Sequence, residues 1–238
     1  MDFHIKNSTL DLETNMKKLL TLQDIQNSNW KERLRDVFAG NLRSAFLHGN
    51  CLYEGFDALH EPWQMSLILN DTSAEKLSAA YALAKPLTVE GLQFGFFFSE
   101  DFLAKNQKVY PLEFLHISKK NAVLSGEAPL QGFSPDNLAL RAECKRELTS
   151  RMLQLKREFT RLHYGLTPMD FSISADSEIL PVLYGVYFAQ KNEFPQRRSD
   201  VYKEFPDFEL KEPVSEDKDV IDRADIYFKA IQKIIEEL

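Results

Sequence analysis

The sequence predicts an α+β protein, with a mixed α/β sheet region followed by an α-helical bundle. Three observations carry this. Strand-like and helix-like stretches alternate over the first 133 of the 238 residues, the pattern of a sheet packed with helices. From residue 134 onward, apolar residues recur three and four apart, the spacing of amphipathic helices. The charge changes at the same place, with a net of −3 over residues 1–133, +3 over 134–165 and −7 over 166–238. The chain therefore divides into a sheet region (1–133) and a helical region (134–238) joined by a basic element.

The first helix is expected over Leu12 to Ile25, where Met16, Leu19, Leu20 and Leu22 share a stripe. After Asn27-Ser28-Asn29 a second helix, capped by Ser28 or Asn29, runs through Val37-Phe38 and stops at Gly40. Leu42 to Leu47 reads as a strand closed by Gly49-Asn50, and Gln64 to Leu69 as a second strand. Thr72 or Ser73 caps a helix from Ala74 to Ala84, with Leu77, Ala80, Tyr81 and Ala84 on one stripe. Leu92 to Phe98 is a third strand; its run of phenylalanines reads as a strand covered on both faces, with a base-stacking platform as the alternative. Ser99-Glu100-Asp101 opens a short helix, and Pro111 to Ile117 reads as a fourth strand.

In the second half, Ser134-Pro135-Asp136 starts a long helix through Leu138, Cys144, Leu148, Met152, Leu155, Phe159 and Leu162, ending at Gly165. Leu180 to Gln190 is a second helix with Pro181 in its first turn. Arg198 to Phe208 is a third, interrupted at Pro206. Val220 to Leu238 is a fourth, with Ile221, Ala224, Tyr227, Phe228, Ile231, Ile234 and Ile235 on its core side. Together they read as an antiparallel bundle.

Composition excludes several classes. With 44% hydrophobic and 27% charged residues the chain is a globular protein, not a disordered one. A net charge of −7 argues against a dedicated nucleic-acid binder. No apolar run approaches the roughly 20 residues of a membrane span, and Met1 to Asn7 has no basic start leading into an apolar stretch, so a cytoplasmic location is expected. Cys51 and Cys144 are too few for a disulfide framework or a zinc cluster.

One constellation points to chemistry. The strand Leu42–His48 ends in Gly49-Asn50, and a second strand, Gln64-Met-Ser66-Leu-Ile-Leu, follows a short gap. This resembles the nucleotidyltransferase superfamily with the DNA polymerase β-like fold, whose signature is a strand, a Gly-Gly or Gly-Ser turn, a similar gap, and an acid-x-acid pair on the next strand. The likeness runs from about Leu42 to Leu130. The stretch Asn121 to Leu130 before a long basic helix resembles stand-alone bacterial nucleotidyltransferase-like proteins with a C-terminal helical domain. Transfer of a nucleotidyl group in this family uses two metal ions held by anionic oxygens, and two acids at i and i+2 on a strand point the same way.

Here the acid pair falls on Gln64 and Ser66, both neutral, and Asn50 replaces the second glycine or serine. Glu113, on the expected fourth strand, takes the third-acid position. The resemblance thus implies a catalytically degenerate protein that binds a nucleoside triphosphate, or a protein partner or second copy of itself, through Gly49, Asn50, Gln64, Ser66 and Glu113. It implies no cofactor. An active alternative would use magnesium with Glu113 and the loop acids Glu54, Asp57 and Glu61. A second alternative is a ribonuclease, since Arg157 and His163 resemble the Arg-x(4–6)-His motif of HEPN ribonucleases. The remaining histidines read as packing (His48), a loop residue (His60), and His116 alternating to the face opposite Glu113. Of the basic residues on the long helix, Arg141, Lys145 and Arg151 are candidates to face a cleft between the regions.

Overall fold

The computed structural model describes residues 20–59, 61–162, 164–209 and 217–238. The predicted helix over Leu12–Ile25 therefore lies largely outside the described residues, as do His60, His163 and the N-terminal stretch Met1 to Asn7. The described elements are α1 (Leu22–Gln26), α2 (Trp30–Phe38), β1 (Leu42–His48), β2 (Trp63–Leu69), α3 (Ala74–Leu77), α4 (Tyr81–Val89), β3 (Leu92–Ser99), α5 (Glu100–Lys105), α6 (Pro111–Lys119), β4 (Asn121–Ser125), α7 (Asn137–Phe159), α8 (Pro168–Lys191), α9 (Arg198–Glu204) and α10 (Asp217–Glu237).

The four strands form one mixed sheet in the order β3-β2-β1-β4. β1 runs antiparallel to β2 and β4, and β2 runs parallel to β3. Alternation along the strands gives the sheet two buried faces. Ala45, Leu47, Met65, Leu67 and Leu69 pack with Trp30, Leu34, Phe38, Leu83 and Leu87 from α2 and α4. Phe46 and Ile68, on the other face, join a second core that runs through Phe114 and Ile117 of α6 into Leu140, Leu148, Phe171, Leu183 and Ile231 of α7, α8 and α10. The α+β class read from the sequence is the one observed, with a layer of helices on each face of the sheet.

Several expectations are corrected. Pro111–Ile117 is not a strand but the start of α6, with Pro111 in the first helical turn; the fourth strand is Asn121–Ser125. Pro111, Leu112, Phe114, Leu115, His116 and Ile117 are all buried. A helix buried on all sides shows no periodicity to separate it from a strand. β3 is not covered on both faces: it is the sheet edge, and Phe96 is 46% exposed. The helix after β2 is broken by a 3-10 turn over Ser78–Ala80, and Tyr81 points outward while Leu83 and Leu87 are buried. α8 begins at Pro168, where Thr167 forms a reciprocal cap with Asp170, so Pro181 lies inside the helix instead of in its first turn. Leu138 and Ile221 face solvent. The expected stop at Pro206 is observed, with α9 ending before it. No helix among the described residues is long and apolar enough to cross a membrane.

Candidate active site

β1 and β2 pair with Phe46 opposite Ser66 and Leu47 opposite Met65. Strand alternation then sends His48, Gln64 and Ser66 toward the helical side of the sheet. At the end of β1 the chain turns at Gly49, whose φ of +84° favours glycine. His48, Gly49, Asn50, Gln64 and Glu113 line one cleft of about 840 Å³ between the sheet edge and the helices. Four of the five predicted site residues thus lie along one cleft wall. The fifth, Ser66, is wholly buried behind His48 and Phe96.

Ser66 is held by a local irregularity. The β2–β3 ladder pairs Met65 with Phe94 but Leu67 with Phe97, so Gly95 and Phe96 together oppose Ser66 in a bulge. The bulge turns the Phe96 N–H onto Ser66 Oγ at 2.6 Å. His48 Nε2 lies 2.7 Å from the same oxygen. Ser66 Oγ thus accepts the Phe96 N–H and shares a second hydrogen bond with His48 Nε2, whose direction follows the imidazole tautomer. A Cβ at residue 95 would lie 2.6 Å from Ser66 Oγ and 3.3 Å from His48 Nε2, so this contact requires glycine. The Phe96 ring stacks on His48 with centroids 5.5 Å apart. His48 is therefore more than a packing residue: it pairs the Ser66 hydroxyl.

Glu113 reaches the cleft from the first turn of α6, not from a strand. Its Oε1 is 3.7 Å from His48 Nδ1, beyond hydrogen-bond reach, and Nδ1 is a buried nitrogen without a hydrogen-bond partner among the described residues. Burial, and next the nearby Glu143 carboxylate, push the Glu113 carboxyl up to about 7. Burial pulls His48 down to about 4, so the imidazole is neutral near pH 7. His116 does not alternate to the opposite side from Glu113, because three residues on a helix make less than a full turn. It too borders the cleft, but both its nitrogens are engaged, Nδ1 by Tyr53 OH at 2.5 Å and Nε2 by Pro181 O at 2.8 Å.

The far wall comes from residues that the sequence reading missed. α7 supplies Glu143, Arg146, Glu147 and Arg151, and α8 supplies Glu178. Arg146 sits 2.9 Å from Glu147, and Arg151 lies 3.6 Å from Glu178. Glu143 accepts the Leu112 N–H at 2.6 Å, which ties α6 to α7. The i, i+3, i+4 spacing of Glu143, Arg146 and Glu147 was a usable signal of one shared face. Of the basic residues expected to face the cleft, Arg151 does. Arg141 instead donates to Asn137 and Ala189 O, and Lys145 is exposed to solvent. Phe98, Phe102 and Tyr110 extend the aromatic edge begun by Phe96, with successive ring centroids 5.4, 6.0 and 6.1 Å apart.

The active alternative needs a magnesium site, and the donors present do not fit one. Position 64 offers a neutral amide, and position 66 offers a buried hydroxyl whose hydrogen bonds are already made. Hard divalent cations want several anionic oxygens. Among the described residues, no group of three or more His, Cys, Asp or Glu side chains is placed to hold a metal ion. The loop acids do not supply the shortfall: Glu54 and Glu61 line an adjoining pocket of about 140 Å³ and not the cleft itself, and Asp57 accepts the Leu59 N–H. The Arg157–His163 pair has its histidine outside the described residues.

No family model and no curated protein matches the chain. Among solved structures it is similar to a spectinomycin adenyltransferase from Enterococcus faecialis, crystallised with ATP and spectinomycin, at 11% identity and a TM-score of 0.48, covering 90% of this chain and 100% of the other. It is also similar to a nucleotidyltransferase-like protein from Exiguobacterium sibiricum at 10% identity and a TM-score of 0.32, covering 90% and 75%.

Proposed function

We propose that this chain is a nucleotidyltransferase-like protein, with residues 1–133 as the sheet unit and 134–238 as the helical unit, that has lost metal-dependent transfer and keeps its cleft as a binding site. The observation that carries this is the state of Ser66. It stands where the family places its second metal-binding acid, and its hydroxyl is occupied by His48 and the Phe96 N–H. The Ser66 hydroxyl is paired within the protein by a set that needs Ser66, His48, Gly95 and the β3 bulge together. A nucleotide, the ligand that the resemblance implies, would be met at the Gly49-Asn50 turn beside Gln64, where a backbone without a Cβ allows close approach.

The test is incubation with each labelled nucleoside triphosphate and magnesium or manganese, with ATP binding followed in parallel by calorimetry. The reading expects binding without transfer. Metal-dependent labelling of any acceptor, or of the protein itself, refutes the loss of activity. Absence of ATP binding refutes the nucleotide.

A further inference from the structure

The face of the sheet opposite the cleft carries an apolar surface, and we propose that it pairs two copies of this chain through α4, crossing antiparallel about a two-fold axis near Ala80 and Tyr81. The proposal is independent of the cleft and of any reading of its ligand.

Three observations on this face converge. The first is composition. α4 carries one charged residue in nine, Lys85. Leu83 and Leu87 point into the core, yet the other side of the helix shows Tyr81, Ala82, Ala84 and Val89 to solvent, Tyr81 at 81% exposure and Val89 at 58%. A surface helix sets charged and polar residues toward water, and a helix apolar all round is a buried one. α4 has the sequence of a buried helix with one side uncovered.

The second observation is shape. Beside Tyr81 lies an apolar groove of about 380 Å³, lined by Ala74, Leu77, Ala80 and Ala84 and by Phe94 and Phe97 of β3. A projecting ring and an apolar groove thus share one face. That is the condition for an isologous contact, in which one patch serves both partners and each gives what the other takes. A two-fold axis near residue 80 sets Tyr81 of each copy level with residue 79 of the other, between the Leu77 and Ala84 that line its groove. The small side chains of Ala80 and Ala84 let the two helices approach closely.

The third observation is charge. From Ala74 to Val89 the charged side chains are Glu75, Lys76 and Lys85. Lys85 makes no ion pair among the described residues, and the 86% exposed Glu75 meets only its sequence neighbour Lys76, at 3.6 Å. Residue 80 lies midway between 75 and 85. The same antiparallel crossing therefore brings Glu75 of each copy level with Lys85 of the other, whereas a parallel crossing sets Lys85 against Lys85. Charge complementarity of this kind fixes partner and register. One helix and one groove make a small interface, below about 1,200 Å² in total, so a reversible dimer with a dissociation constant of roughly 1–100 µM is expected.

The experiment is sedimentation velocity on the full chain at low salt, from about 1 to 200 µM. Tyr81→Asp, at an exposed ring, is expected to weaken self-association about ten-fold or more. Glu75→Lys and Lys85→Glu each set like charges together, and each is expected to weaken it about three-fold, while the double reversal restores it. With benzoylphenylalanine in place of Tyr81, irradiation is expected to give a product of twice the chain mass, joined at the groove of the second copy. A monomer at every concentration, an unchanged dimer in Tyr81→Asp, or no recovery in the double reversal each overturns the proposal. A cross-link from position 81 to residues 1–19 of the same chain also overturns it, and gives the groove to the chain's own beginning.

Discussion

His48 and His116 stand on either side of Glu113, both buried and both held near a pKa of 4 by burial, yet they differ in one respect. His116 is complete. Tyr53 OH and Pro181 O take both its nitrogens, and the rings of Tyr53, Tyr184 and Phe194 surround it. His48 is complete on one side only, since its Nδ1 is buried without a hydrogen-bond partner among the described residues. Buried polar atoms are nearly always paired, so His116 is a structural pin and His48 carries the unpaired atom.

That contrast can be broken by mutation, and the largest effect is expected at the pin. His116→Ala leaves Tyr53 OH and Pro181 O without partners and opens a cavity among aromatic rings, and is expected to cost about 3–4 kcal/mol in urea unfolding. Ser66→Ala leaves the Phe96 N–H and His48 Nε2 without their shared partner, and is expected to cost about 1–3 kcal/mol by the same measurement. If Ser66→Ala proves neutral, the network is not what holds the bulge.

Stability against pH separates the two histidines from the acid they flank. A histidine whose folded pKa lies near 4, below its unfolded value of 6.5, binds fewer protons when folded, so its contribution is present above 6.5 and lost as the pH falls toward 4. Glu113 has the opposite sign. Its folded value near 7 lies above the unfolded 4.5, so its contribution is present below 4.5 and lost as the pH rises through 7. His116→Gln is expected to flatten the rise in unfolding free energy between pH 4 and 6.5. Glu113→Gln is expected to remove an opposing decline between pH 4.5 and 7. Unchanged pH profiles contradict these assignments. The smallest effect is expected at Arg157, exposed on α7, where alanine should change stability by no more than about 0.5 kcal/mol.

α2 and α7 were legible because each keeps an exposed face, so their apolar residues repeat with the helical period. β1 and β2, buried on both faces, were legible as short apolar runs bounded by turn residues. α6 was misread because it is buried on nearly every side, and this moved Glu113 from a strand to a helix. The opposite error occurred at β3, where a phenylalanine run read as a covered strand is the sheet edge, with Phe96 and Phe98 turned into the cleft and Phe94 and Phe97 onto the opposite face. Gly49, Asn50 and Gln64 were singled out by the resemblance that their strand-turn-strand segment carries. The partnership of Ser66 with His48 was not, since it depends on a one-residue slip between β2 and β3 that no local pattern announces. The acids and arginines of α7 carried a signal in their spacing, but only the packing of α7 against α6 gives that face a destination.

If the proposed loss of metal-dependent transfer holds, the chain by itself has no manganese site. Manganese binding to the full chain without nucleotide, read by electron paramagnetic resonance, measures this. No stoichiometric site is expected, and no change in the manganese signal in Glu113→Gln. One tightly held ion per chain, lost in Glu113→Gln, overturns the proposal.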